Sequence, residues 1–340
     1  MVGTCPAMPD AHRTLAATYS TTGGSDVLSV SEVDLPAVGP GEVLVRVTVS
    51  GLNPTDWKSR AGATGRAPAG GFQVPHQDGA GVIEAVGEGV EPARVGERVW
   101  LFFAAWQRAW GTAAQRTVVP AEQAVPLPDG ASDDLGASLG IPALTAHRCL
   151  HADGPVDGRT VLVAGGAGAV GHAAIELAKH AGARVVSTVS SEEKAELARA
   201  AGADAVVNYR DPDAAEQVRA AAPDGVHRVV EVDLGANLEL DLAVLAPGAA
   251  VATYADAGTG DPAVPVRRLM TANTALRFVL VYTMPRAALR LAVVEVGEAL
   301  RAGALTTLPL HRFALADVAA AQDAVEAGVA GKVLLDLPAV

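Results

Sequence analysis

Glycines 166, 168 and 171 close an apolar run in Thr160-Val-Leu-Val-Ala-Gly-Gly-Ala-Gly-Ala-Val-Gly171. A Gly-x-Gly-x-x-Gly spacing between a β-type run and a helix suits a dinucleotide pyrophosphate. Gly166 would allow the tight turn, Gly168 the approach of phosphate to backbone, and Gly171 close packing of helix on strand. Free N–H groups at the helix start, around Ala169 and Val170, would then face the phosphates. The helical pattern runs to Ala181, and Gly182 stands where a C-terminal cap belongs. A second apolar run, Ala183-Arg-Val-Val-Ser-Thr-Val-Ser190, completes a βαβ unit.

Sites for NAD carry an acid about 20 residues beyond the glycines, bonded to the ribose 2′-hydroxyl. Here the second strand ends at Ser190 with no carboxylate at its tip, and Lys194 follows. A hydroxyl and a nearby cation suit a 2′-phosphate, which a carboxylate would repel. NADPH is therefore the expected cofactor. Glu192 and Glu193 fit the N-terminus of the next helix, where the dipole favours acids.

Other residues carry weaker signals. Asn53-Pro-Thr-Asp-Trp-Lys58 offers Asn53 and Asp56, in a pattern that also suits a plain turn. Thr145 lies in a helical stretch, where a hydroxyl can equally bond its own backbone. Trp100, Phe102, Phe103, Trp106 and Trp110 are concentrated in a chain with only 4% aromatic residues. Trp100 and the two phenylalanines read as core of a strand. Trp106 and Trp110 read as a loop over a cleft, either as a flat wall for a planar substrate or as packing.

These groups need a scaffold, and the chain is long enough for two domains with real cores: 340 residues, 50% hydrophobic and 19% charged. Residues 15–130 are rich in alternating apolar runs and glycine or proline turns, the pattern of a small barrel. From about residue 137, β runs at 160–164, 184–189, 205–208, 228–233, 249–253 and 277–282 alternate with Ala-rich helices, as in a doubly wound α/β fold. A strand, a helix and a last strand at 331–336 close the chain. The net charge of −12 disfavours nucleic acid. No apolar stretch suits a membrane span, and residues 1–20 lack a secretory signal. Thr4, Cys5, Pro6 and Pro9 read as a loose leader. Two distant cysteines, Cys5 and Cys149, point to a reducing, cytoplasmic setting.

Five segments in order, Gly51-Leu-Asn-Pro-Thr-Asp56, Asp78-Gly-Ala-Gly-Val-Ile-Glu-Ala-Val-Gly87, Gly140-Ile-Pro-Ala-Leu-Thr-Ala146, Ala164-Gly-Gly-Ala-Gly-Ala-Val-Gly171 and Val207-Asn-Tyr-Arg210, carry a resemblance. The chain resembles the zinc-independent medium-chain dehydrogenase/reductases of the NADPH:quinone oxidoreductase (zeta-crystallin-like) family, from about Leu15 to Leu337. The resemblance implies a GroES-like β-rich catalytic domain at 1–137 and 302–340, and a Rossmann NADPH-binding domain at 138–301. It implies Asn53 and Asp56 on the floor of the cleft, with Asn53 able to bond the acceptor oxygen. Thr145 would face the nicotinamide or phosphate. Lys194 and Tyr209 would clamp the 2′-phosphate, with Arg210 as a further contact. The backbone around Val279 would meet the carboxamide, and Trp57, Trp106 and Trp110 would line the substrate pocket. The strand at 278–282 would pair across a homodimer interface. Lys58 stands where many relatives carry Tyr.

By the same resemblance, Asn53, Gln77 and the neighbourhood of Ile141 occupy the positions of the zinc ligands in metal-dependent relatives, and Asp78 that of an acid. None of the three offers a good zinc ligand, so no metal is expected. Without a Lewis acid, a hydride acceptor that needs little activation is favoured, such as a quinone. An enal, enone or enoyl-thioester reductase is the alternative, and a non-catalytic NADPH-binding protein a further one.

Overall fold

The computed structural model describes residues 13–63, 65, 68, 71–255 and 262–339. The leader residues Thr4, Cys5, Pro6 and Pro9 lie outside them. Strands β1 (Arg13–Thr18) and β2 (Ser29–Asp34) form an antiparallel pair. β3 (Glu42–Gly51) follows, then the short helix α1 (Pro54–Arg60), β4 (Asp78–Val86), β5 (Arg98–Leu101), β6 (Arg116–Pro120) and β7 (Ala124–Pro126). β3 buries Val43, Val45 and Val47 on one face, and Leu44 on the other is buried too. It pairs with both β4 and β6.

Helix α2 (Asp133–His151) then leads into β8 (Thr160–Ala164), α3 (Ala169–His180), β9 (Arg184–Val189), α4 (Glu192–Ala200), β10 (Ala205–Asn208), α5 (Ala214–Ala221), β11 (Val226–Glu231), α6 (Leu234–Val244), β12 (Leu245–Thr253), α7 (Val266–Ala272) and β13 (Ala275–Phe278). The six strands make one parallel sheet in the order β10-β9-β8-β11-β12-β13. The strand order reverses between β8 and β11, which opens the crevice where dinucleotides bind in such sheets. After α8 (Arg286–Arg301) the chain returns to the first sheet. β14 (Leu310–Ala314), α9 (Val318–Glu326) and β15 (Lys332–Asp336) place β15 beside β3.

The run expected as a strand at 277–282 is corrected to 275–278. A strand lasts only as long as its partner. β12 ends at Thr253, whose carbonyl takes the Val279 N–H at 2.8 Å, and beyond it Val281–Thr283 forms a single 3₁₀ turn. The division drawn after residue 137 falls inside α2. That helix packs on β4 and β5 on one side and on α3 and α8 on the other, and one apolar cluster runs from Trp100 through Leu144 to Val163.

Candidate active site

The nucleotide turn is built as its spacing requires, with one change of role. Gly165, not Gly166, takes the left-handed conformation (φ +70°). A Cβ at Gly171 would stand 2.2 Å from the Gly165 carbonyl oxygen, so the helix start can touch the strand end only without a side chain. A Cβ at Gly168 would meet only that same oxygen, at 3.4 Å, leaving this side of the turn open. Gly168 caps α3 without a side-chain acceptor, so the first-turn amides lack an intrahelical partner. An open backbone cradle at a helix start fits a pyrophosphate.

At the far rim, Ser190, Tyr209 and Arg210 converge. The Arg210 Nη1 donates to the Ser190 carbonyl at 3.3 Å, and its guanidinium lies 5.8 Å from the Tyr209 ring centroid. The Ser191 hydroxyl accepts from the Lys194 N–H and starts α4. Glu192 pairs with Arg199 at 2.6 Å, two turns along the same face of α4.

The second centre is a buried polar cluster. Asn53 caps α1, and its N–H donates to Asp56 Oδ2 at 2.7 Å. Its amide is held at both ends: Nδ2 donates to Asp78 Oδ2 at 2.6 Å, and Oδ1 accepts from Lys332 Nζ at 2.9 Å. Lys332 also donates to the Leu52 carbonyl. The Ile141 N–H reaches both Asp78 oxygens at 3.0 Å, ahead of Pro142, which has no N–H to give. A Cβ at Gly140 would lie 2.1 Å from Asp78 Oδ1, so only glycine lets α2 press onto this carboxylate. Burial raises Asp78 to about 6. Burial also lowers the Lys332 ammonium, while Asp78 and Asp56 resist that shift.

Beside this cluster lies a cavity of about 290 Å³, lined among others by Tyr19, Thr55, Asp56, His76, Gln77 and Trp106. Two buried polar atoms of its lining residues, Asp56 Oδ1 and Gln77 Oε1, have no protein hydrogen-bond partner. Burial raises the Asp56 carboxyl to about 8, against the pull of the Asn53 N–H. Asp56 is thus a neutral acid at pH 7, with a proton to give. His76 adopts φ +75° and is fully buried. Gln322 Nε2 donates to its Nε2 at 3.2 Å, so Nδ1 carries the proton and donates to Ser50 Oγ at 3.0 Å. Ser50 passes to Thr112 at 2.8 Å, and Thr112 to the Asp78 carbonyl. Burial pushes His76 down to about 3, which keeps the ring neutral.

An aromatic stack borders the cavity. Trp106 stacks on Tyr282, whose hydroxyl donates to Thr55 Oγ1 at 3.2 Å.

The amino-terminal part matches the family model described as "Alcohol dehydrogenase GroES-like domain" over residues 39–129, and the middle matches "Zinc-binding dehydrogenase" over 169–295. The chain is similar to the quinone oxidoreductase of Rattus norvegicus, 38% identical over 173 residues, which is 50% of this chain and 51% of the rat protein. That alignment thus spans about half of its relative's length. A solved structure of a mycobacterial quinone oxidoreductase superposes with a TM-score of 0.83 at 32% identity, over 95% of this chain and 99% of that one. This chain belongs to the quinone oxidoreductase family of the medium-chain dehydrogenase/reductases. A mycobacterial structure complexed with NADPH matches at 31% identity and a TM-score of 0.81, over 95% and 99% of the two chains.

In this quinone oxidoreductase family member, several expected site residues stand elsewhere than the resemblance implied. Asn53 braces Asp78 and Lys332 through both ends of its amide, which leaves the second N–H of Nδ2 as the donor it could offer an acceptor oxygen. Trp110 does not line the cavity. It is buried against Phe72, edge to face at 5.9 Å, in the core below β1. Trp57 also lies outside the cavity lining, with the Lys58 ammonium 5.8 Å from its ring. Thr145 is buried within α2 and lines no described cavity. Val279 sits beside the end of β12 through its amide. The structure adds three residues. His76 and Gln77 join the site from the two positions just before β4, and Lys332 joins it from β15. The signal for Lys332 was a lone lysine at the head of an apolar strand, Lys332-Val-Leu-Leu.

Proposed function

We propose that this protein is a zinc-independent, NADPH-dependent reductase that transfers hydride to a quinone. The observation carrying this reading is the Asp78–Asn53–Lys332 cluster. Where metal-dependent relatives hold zinc ligands, two neutral amides stand at 53 and 77, and the positive charge beside them is a lysine ammonium. Such a donor set has no thiolate for zinc, and the imidazole beside it, His76, has its two ring nitrogens engaged by Ser50 and Gln322. The cation also neutralises Asp78, so the cleft accepts an uncharged, electron-poor substrate without stray negative charge.

The residues would act as follows. The open turn at Gly165–Gly171 holds the pyrophosphate, and Ser190, Lys194, Tyr209 and Arg210 hold the 2′-phosphate. When bound, NADPH supplies the hydride. The quinone lies in the cavity under Trp106, with one carbonyl near Gln77, whose rotated amide offers Nε2 as donor. Hydride addition to the quinone leaves a quinol anion. Asp56 donates the proton from Oδ1, with Oδ2 held by the Asn53 N–H, and is reprotonated from solvent. Trp106 and Tyr282 exclude water and keep the rings coplanar.

We further propose a homodimer. β13 is an edge strand with Phe278 (73% exposed) at its end and exposed Leu280 beside it, an apolar edge that isolated domains avoid leaving open.

The test is oxidation of NADPH and NADH by 1,4-benzoquinone, 9,10-phenanthrenequinone and 2-hexenal in EDTA. NADPH-linked quinone turnover that survives chelation supports the reading. Turnover of the enal alone would make it a double-bond reductase. Tight NADPH binding with no turnover of any acceptor would leave a binding protein.

A further inference from the structure

His147 and His151 stand four residues apart on α2, and so on one helix face. Glu295 reaches them from α8, which packs against α2. His147 is buried; His151 and Glu295 are half-buried. His147 Nε2 meets Glu295 Oε2 at 2.5 Å, and the two imidazole rings lie 4.6 Å apart between centroids. One ligand atom from each residue falls within 4.8 Å of the other two. None of the three lines the substrate cavity or the nucleotide turn.

We propose that His147, His151 and Glu295 form a binding site for a divalent transition metal of the zinc type, bracing α2 against α8. Two imidazoles and one carboxylate are a recurrent three-ligand set for tetrahedral zinc, with water as the fourth ligand. Imidazole donors select against magnesium and calcium, which take oxygen ligands. Tetrahedral zinc with bonds of about 2.0–2.1 Å needs its donors roughly 3.3–3.5 Å apart. Rotating side chains on two fixed helices by about an ångström achieves this. The His147–Glu295 contact opens slightly, and His151 swings inward. The Glu295 side chain is 42% exposed, which gives the ion an entry path and the fourth ligand a place. Arg228, a cation that acts on His151, is tied to the carbonyls of Cys149 and Leu150 and faces Asp153 at 3.8 Å. The site joins the helix common to both cores to the last helix of the nucleotide domain. Its ion would act as a cross-link and take no part in hydride transfer.

This inference does not rest on the proposed reaction, since quinone turnover can persist while the site is emptied. The test uses the full chain, stripped with EDTA, dialysed and titrated with Zn²⁺ alone against a chromogenic chelator. One ion per chain is expected, with a rise in Tm on loading. His151→Gln and Glu295→Gln should each weaken binding at least about tenfold and abolish the Tm rise. Loading the unmutated chain with Co²⁺ should give the visible bands of tetrahedral coordination, a readout that needs no variant. Absence of Zn²⁺ uptake, equal uptake by all three proteins, or octahedral Co²⁺ bands would overturn the site. The first outcome would leave His147–Glu295 as a simple helix-to-helix hydrogen bond.

Discussion

The indole of Trp106 lies flat on the phenol of Tyr282, 4.0 Å between centroids and 8° from parallel. Trp106 comes from the loop after β5 and Tyr282 from the turn after β13, so the stack spans the two sheets. The Tyr282 hydroxyl extends the bridge to Thr55 on α1. A double-mutant cycle with Trp106→Ala and Tyr282→Ala should yield a coupling of about 0.5–1.5 kcal/mol by urea unfolding. Tyr282→Phe should keep most of it. Trp106→Ala should also raise KM for planar quinones more than it lowers kcat. Additive single effects would show that the rings touch without supporting one another.

Asp56→Asn removes the proposed acid but keeps an oxygen for the cap. Quinone turnover should fall by roughly 100-fold or more. Asp56 sits near 8 in the folded protein, so the active, protonated form prevails below that pH and is lost above it. The unmutated kcat should therefore decline above about pH 8, and the variant's small residual rate should be flat. An unchanged rate would remove Asp56 from the mechanism.

Acid stability should report His76. Its folded value is pushed down to about 3 from an ordinary 6.5. Between those values the unfolded chain binds a proton that the folded chain refuses, so stability drops as pH falls through this window. Asp56 and Asp78 oppose this, because their raised values favour folding at low pH and lose that contribution as pH rises towards 6–8. His76→Asn, which tolerates the left-handed backbone, should flatten the acid-side loss by about 1.4 kcal/mol per pH unit relative to the unmutated chain. Urea unfolding between pH 4 and 6, an interval of roughly this slope, decides it; parallel slopes would mean the ring does charge inside the fold.

Cofactor choice is tested at the far rim. Lys194→Ala and Arg210→Ala should each raise KM for NADPH about tenfold and leave KM for NADH nearly unchanged, since only the former carries the 2′-phosphate. Equal effects on both cofactors would assign these cations to folding.

The edge of β13 makes a separate prediction. Phe278→Lys should convert a dimer to a monomer in light scattering after gel filtration, through a charge placed on an open strand edge. A monomeric unmutated chain would sink the dimer itself.

The nucleotide half was legible because its information is local. The glycine spacing, the β runs at 160–164, 184–189 and 205–208 and the helix between them lie within one stretch, and these spans agree with β8, β9 and β10. The reactive half was legible only in part. Asp56 could be picked out by motif, but its proton could not, because burial among Tyr19, Asn53 and Asp78 is a property of the assembled fold. Lys332 and Asn53 touch across 279 positions, and Arg60 and Gln322 across 262. No periodicity reports contacts of that range. Trp110 misled for a related reason. A loop tryptophan reads alike whether its neighbours form a wall or a core, and Phe72 decided for core.

The place of Lys332 also has a temporal meaning. Synthesis completes every strand of the parallel sheet, through Phe278, before Lys332 is added. Until β15 pairs with β3, Asp78 has a carboxylate and Asn53 an amide oxygen with no ammonium to meet. A nascent chain can therefore shape its nucleotide cradle early, while the reactive end stays unfinished. β15 thus sets the order of assembly: the Asp78–Asn53–Lys332 cluster can close only after every strand of the parallel sheet has been made.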